Sequence, residues 1–268
     1  MDKTEILNKY PKPEDRILVA QILDKIEMVR TRNKPQNTDF LDLYQKTLVN
    51  KLFNQLEYQN YRFFGGVQEA EREIAFFIPD KYNEAMIEKL LNSVIKVIRI
   101  TLPNTIPTTY THREYLGGLM KLGIERKKIG DILVTKEGAD ILVSDDIYEF
   151  LRMQLPQLKR FMEAEIESIS INELEVPIVQ KEEIKIIVAS LRLDSIVSEL
   201  VRTSRSKATE YLRAERVFVN GINEIKPAKT MKEGDKITIR GKGRFEIRQI
   251  EGNTKKGRVI VKVLKFVS

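Results

Sequence analysis

The sequence predicts an α+β chain, with helices at the front, an α/β sandwich in the middle and a small basic domain of two helices and a sheet at the end. Three observations carry this reading. Apolar residues recur at helical spacing up to Leu56, strand patterns alternate with helical ones from Tyr58 onward, and the excess of positive charge gathers behind Lys181. The expected divisions are a helical segment over 1–57, a central α+β domain over 58–170, a polar, acidic linker over 171–183 that contains Pro177, and a basic domain over 184–268.

In the front segment, Ile17, Leu18, Ile22, Ile26 and Val29 predict one helix, and Phe40, Leu43, Tyr44, Leu48, Leu52 and Leu56 predict a second. Residues 31–38, with Pro35, form a polar connection, and Thr38 is the expected cap of the second helix. Tyr61–Phe64 and Ile74–Ile78 read as strands around Gly65-Gly66, with Tyr61, Phe63, Phe76 and Phe77 assigned to the core. A helix over 83–92, a strand over 94–100 and a helix over 112–122 ending at Gly123 follow. Then come a hairpin of 130–135 and 139–143 around Lys136-Glu137-Gly138, a helix over 145–154 opened by Asp145-Asp146, and a strand over 162–169.

Composition removes several function classes. A chain of 268 residues that is 42% hydrophobic can bury an ordinary core. No apolar run approaches the roughly 20 residues that span a bilayer, and the start lacks an apolar signal region, so a cytoplasmic protein without a membrane partner is expected. Without cysteine there are no disulfides, thiolate zinc sites or cysteine nucleophile. The one histidine, His112, has no G-x-S-x-G elbow beside it and is expected to cap or orient its helix; no GxxxxGK[ST] loop occurs. No catalytic residue, cofactor or metal is therefore expected.

Charge is informative once divided by region. Residues 182–268 carry 20 Lys and Arg against 11 Asp and Glu, leaving 26 against 28 for the rest. The footprint of polyanion binding thus lies wholly in the C-terminal domain. There, Leu193, Ile196, Val197 and Leu200 mark one helix, and Ala208, Tyr211 and Leu212 the apolar face of a second. Ser204 is the expected N-cap of the second helix, whose first turn leaves backbone N–H groups open and carries the positive end of the helix dipole. A phosphate fits such a place. Ser206 adds a hydroxyl, Arg205 and Lys207 add full charges, Arg192 and Arg202 come from the preceding helix, and Arg213 and Arg216 lie at the far end. Val217–Val219 reads as a strand and Asn220-Gly221 as a tight turn. A turn over 225–230 and strands over 236–240, 244–250 and 258–266 close the domain, and Lys242, Arg244, Lys255, Lys256 and Arg258 in its loops widen the basic surface.

Arg192-Leu193-Asp194, Ser204 to Ala208 and Val217 to Gly221 together resemble the alpha-L motif of the RNA-binding domain first named in ribosomal protein S-four. In that family the start of the second helix faces structured RNA. The resemblance implies that Arg192, Arg202, Ser204, Arg205, Ser206, Lys207, Arg213, Arg216, Asn220, Lys242 and Arg244 face RNA, with no DNA expected. Further forward, Gly65-Gly66 with Ala70-Glu71-Arg72, His112-Arg113-Glu114-Tyr115-Leu116-Gly117 and Ile129-Gly130-Asp131-Ile132 resemble the YlmH family of bacterial S-four proteins. That likeness implies a central fold similar to an RNA-recognition motif (RRM-like), and a family-specific surface at Gly65, Gly66, Glu71, Arg72, His112 and Arg113. It implies partners in ribosomal RNA of the large subunit and in tRNA or peptidyl-tRNA, and a role in ribosome-associated quality control of obstructed subunits. One departure stands out: the central fold lacks the aromatic K/R-G-F-x-F signature that stacks bases on an RRM sheet. Two rival functions are an RNA-modifying enzyme, because S-four domains are often joined to pseudouridine synthases, and a cell-division-linked adaptor whose front domains recruit a protein.

Overall fold

A short helix, α1 (Lys3–Leu7), capped by Asp2, precedes a long one, α2 (Pro13–Arg32), which opens on a proline where a missing N–H has no acceptor to lose. The computed structural model describes residues 2–103, 110–174, 176, 181–254 and 257–266; Pro177 of the expected linker and the loop residues Lys255 and Lys256 lie outside them. The chain divides into two compact units, Met1–Pro177 and Ile178–Ser268.

In the first unit, α2 is followed by β1 (Gln36–Leu41), α3 (Leu43–Leu56), β2 (Tyr61–Phe64) and β3 (Glu73–Phe77). The strands form an antiparallel sheet in the order β1-β3-β2. Here the structure corrects the reading of a polar connection capped by Thr38. Residues 36–41 are a strand, the cap is Asp42, and Asp42 and Gln45 satisfy each other's backbone N–H groups. Thr38 is drawn into the sheet, where its hydroxyl accepts the Ala75 N–H at 3.0 Å. A neighbouring strand, invisible to local cap signals, decided the matter. One sheet face, with Leu41, Ala75 and Phe77, packs on Val19, Ile22, Ile26, Val49, Leu52 and Phe53. Phe76 and Phe77 are fully buried, and Tyr61 and Phe63 pack around Phe53, so the core assignment of all four rings holds.

The chain continues through α4 (Glu84–Val94), β4 (Ile95–Thr101), α5 (His112–Lys121), β5 (Ile129–Val134), β6 (Gly138–Ser144), α6 (Asp145–Gln154) and β7 (Glu165–Ile169). From β4 this is a βαββαβ unit whose antiparallel strands run β5-β6-β4-β7, the arrangement of an RNA-recognition motif. The last strand starts at Glu165 rather than at residue 162, because Phe161 turns into the core. Thr111, not His112, caps α5: its N–H and hydroxyl both reach the Glu114 carboxylate, at 2.7 and 2.8 Å. Helices α5 and α6 cover one sheet face, burying Tyr115, Leu119 and Leu151 against Ile98, Ile100, Ile141 and Val143.

The other face of that sheet is covered over part of its area. Ile95, Val97 and Leu142 pack against Phe40, Ile74 and Phe76 from the second face of the β1-β3-β2 sheet. Further along, Arg99 and Asp140 face each other across β4 and β6 in a bidentate pair, both bonds 2.7 Å, with Asp140 only 1% exposed.

The second unit begins with β8 (Lys181–Val188), an edge strand whose first residues lie in the segment read as linker. After it come α7 (Leu193–Leu200), α8 (Arg205–Arg213), β9 (Val217–Val219), β10 (Ile222–Asn223), β11 (Lys236–Ile239), β12 (Gly243–Asn253) and β13 (Val259–Phe266). One antiparallel sheet runs β10-β9-β11-β12-β13-β8. The two helices bury Leu193, Ile196, Val197, Ala208 and Leu212 against Val217, Ile237, Phe245, Ile247, Val261 and Val263. Both helix starts are thereby fixed on one rigid core, and the architecture as a whole is α+β.

Candidate RNA interface

Ser204 has extended backbone angles, φ −70° and ψ 154°, and its hydroxyl accepts the Lys207 N–H at 3.3 Å, so it is the N-cap of α8 as its sequence position predicts. The remaining N–H groups of that turn have no helical acceptor. Arg205, Ser206 and Lys207 are all exposed around them. Arg202, in the turn before, adopts the left-handed region at φ 51°, and the Thr203 N–H closes the turn on the Ser198 carbonyl at 2.8 Å.

What aligns the cations is Asp194, in the first turn of α7. Its carboxylate, 5% exposed with the rest of the residue, accepts two bonds from Arg192, at 3.2 and 3.1 Å, one from Arg205 at 2.7 Å and the Ser195 N–H at 2.9 Å. Burial alone would push this carboxyl up. The two guanidinium partners outweigh it and hold the group below the ordinary aspartate value, while Asp194 in turn raises the Arg192 value. Each arginine keeps over two-fifths of its side chain in solvent. One buried anion therefore holds two exposed cations beside the open end of α8, a geometry suited to phosphate. Asp194 carries no signal in its spacing, since its second partner lies on another helix.

The other expected RNA contacts divide by place. Arg213 is exposed in the last turn of α8. Arg216 lies beyond it, with its guanidinium 4.8 Å from the Tyr211 ring centroid and one N–H on the Arg240 carbonyl at 2.9 Å. Arg240, unremarked in the sequence, stacks likewise on Phe218 at 4.7 Å, so two arginines lie side by side there. Asn220 turns inward: its amide donates to Asp235 at 2.8 Å and accepts the Lys236 N–H at 2.9 Å, fixing the β9–β10 turn. Lys242 and Arg202 border a cleft of about 620 Å³ between β8 and the end of α7, and Arg244 lies over the Phe266 ring at 5.5 Å.

The residues expected to form a family-specific surface in the first unit are largely a clasp between its two sheets. Gly65 and Gly66 are buried; Gly66, at φ +88°, leaves room for Leu142, whose Cδ2 lies 2.1 Å from where a Cβ would stand. The backbone N–H groups of Glu71 and Arg72 bind Asp131 at 2.8 and 3.0 Å, and the Arg72 guanidinium holds the Ile129 and Phe40 carbonyls at 3.1 and 2.9 Å. Arg126, absent from the sequence reading, also bonds to the Gly130 carbonyl at 3.2 Å, and burial followed by repulsion from Arg72 lowers its pKa to about 10. His112 and Arg113 are exposed at the start of α5. Partial burial, then Arg126, depress the His112 pKa and favour the neutral imidazole, while Glu71 pulls the other way.

The chain is similar to known proteins along most of its length. Residues 92–173, which contain the βαββαβ unit, match the family model described as "Putative RNA-binding domain in YlmH". Over 243 residues the chain is 30% identical to the ribosome-associated protein quality control protein P2 of Bacillus subtilis (strain 168), covering 91% of this chain and 92% of that protein. Among solved structures, the cell division protein ylmH from Streptococcus pneumoniae shares 24% sequence identity, with a TM-score of 0.48 over 62% of this chain and 97% of that one. Among the described residues no helix is long and apolar enough to cross a membrane.

Proposed function

Because the chain belongs to the YlmH family, we propose that it is a non-enzymatic, cytoplasmic RNA-binding protein whose C-terminal unit grips ribosomal RNA of the large subunit, tRNA, or both. Its setting is ribosome-associated quality control, on obstructed subunits that still carry peptidyl-tRNA; the name of the Bacillus subtilis relative supports that setting. The single observation that carries the reading is the Asp194 bridge, which holds Arg192 and Arg205 beside the Ser204-capped start of α8. Ser206, Lys207 and Arg202 complete the exposed cluster, and Arg213 extends it along the helix. Phosphate neutralisation dominates affinity in such a site, so binding falls steeply with salt, with a slope of about −0.7 to −0.9 per phosphate contacted.

The test is sedimentation of tagged full-length protein in cell extract at low and moderate salt, beside an Arg205→Glu, Lys207→Glu variant. Wild type travelling with free large subunits at low salt, and the variant staying at the top, is the expected result. Wild type remaining at the top at both salts would refute a stable ribosomal partner.

A further inference from the structure

Helix α5 carries two adjacent glycines, and the fold needs only one of them. A Cβ on Gly118 would stand 2.9 Å from the Phe161 ring, so close packing dictates that glycine. A Cβ on Gly117 would meet nothing within 4 Å. Glycine inside a helix gives up more conformational freedom than alanine, so the bare backbone at 117 weakens the helix without serving its packing. Glycine at such a position suits the close approach of another molecule.

The surroundings indicate which kind. Arg113, Gly117 and Lys121 stand four residues apart and so form one row, about 12 Å from end to end. Arg113 and Lys121 are exposed, and neither forms an ion pair among the described residues. Met120, 44% exposed, lies beside the row. Part of the sheet face that an RNA-recognition motif uses for bases is covered here by Phe40, Ile74 and Phe76, and the exposed β7 edge of that face carries the negative charges of Glu165 and Glu167. Cover and negative charge thus disfavour RNA on that sheet face, whereas α5 offers a cationic row beside a partly exposed glycine backbone.

We propose that this face of α5 is a second RNA-contacting surface, on which the sugar-phosphate backbone approaches Gly117 between the charges of Arg113 and Lys121. The inference rests on the RNA-binding reading above but not on the α8 site.

The experiment uses the full chain and purified large ribosomal subunits as probe, with affinity and melting temperature measured for each variant. Gly117→Ala is expected to raise the melting temperature by about 2–4 °C while weakening binding several-fold. That opposite movement is one that a folding defect cannot produce. Arg113→Glu with Lys121→Glu is expected to weaken binding about tenfold or more. A benzophenone amino acid replacing Met120 is expected to crosslink to ribosomal RNA. Unchanged affinity in all α5 variants, while Arg205→Glu, Lys207→Glu abolishes binding, would overturn the α5 surface and leave the α8 reading standing. Crosslinks confined to a ribosomal protein would overturn it as well, in favour of a protein contact. If wild type itself does not bind large subunits, both readings fall.

Discussion

Asp194 and Arg205 are eleven residues apart in sequence, on different helices, and meet through a hydrogen bond of 2.7 Å. The same carboxylate holds Arg192, so the spacing of two exposed cations depends on one buried anion.

Asp194→Asn therefore separates charge from geometry. The variant gains a unit of positive charge near the RNA, yet it is expected to bind several-fold more weakly, because Arg192 and Arg205 must then be ordered on binding. Affinity for large-subunit RNA measured at fixed salt decides the point. Tighter binding would mean that charge alone matters. The substitution also changes acid sensitivity. The folded-state pKa of Asp194 is depressed, so the unfolded chain binds more protons as pH falls. The stabilisation is complete above the unfolded value of about 3.9 and is lost as pH falls through the folded one. Melting curves between pH 2 and 6 are expected to flatten for Asp194→Asn at the acid end.

Ser204→Asp tests the open helix start without dismantling it. Aspartate is as good an N-cap as serine and its charge favours the helix dipole, so stability is expected to stay within about 0.5 kcal/mol of wild type. A negative charge at the proposed phosphate position is expected to weaken RNA binding by about tenfold or more. Equal affinity would show that RNA does not approach that turn.

Gly66→Ala probes the clasp in the first unit. The left-handed backbone at φ +88° strains any side chain, and Leu142 already occupies the position of the added methyl. A loss of about 2–4 kcal/mol is expected by chemical denaturation. Gly123→Ala meets no atom within 4 Å although its φ is also positive, so it isolates the backbone contribution and is expected to cost about 1 kcal/mol.

Arg99→Ala leaves the Asp140 carboxylate buried without its bidentate partner, and a cost of about 3–5 kcal/mol is expected. Replacing both, Arg99→Met with Asp140→Leu, is expected to recover most of that loss. Thermal unfolding of the four members of this double-mutant cycle gives the coupling directly, and additive losses would refute it.

Much of the architecture was legible because its signals are local. The cap at Ser204, the Asn220-Gly221 turn, the hairpin around Lys136-Glu137-Gly138 and the apolar stripes of α2, α7 and α8 each depend on residues within a turn or two of one another. The helix start of the basic site was readable for the same reason, and the charge division located it in the second unit.

By itself, then, the sequence determined the order and type of most elements, the basic unit and the capped start of α8, since backbone preference, side-chain period and net charge act over short stretches. Only the tertiary structure decided that Thr38 joins a strand, that Asp194 aligns Arg192 with Arg205, that Arg72 holds the Ile129 and Phe40 carbonyls, and that Phe40, Ile74 and Phe76 cover part of the βαββαβ sheet. Each of these depends on a partner brought in by folding from outside the local stretch, 37 residues away for Thr38 and Ala75 and 57 for Arg72 and Ile129. Hydrogen bonds and contacts across such separations exist only once the core has formed, and no pattern of neighbours along the chain encodes them.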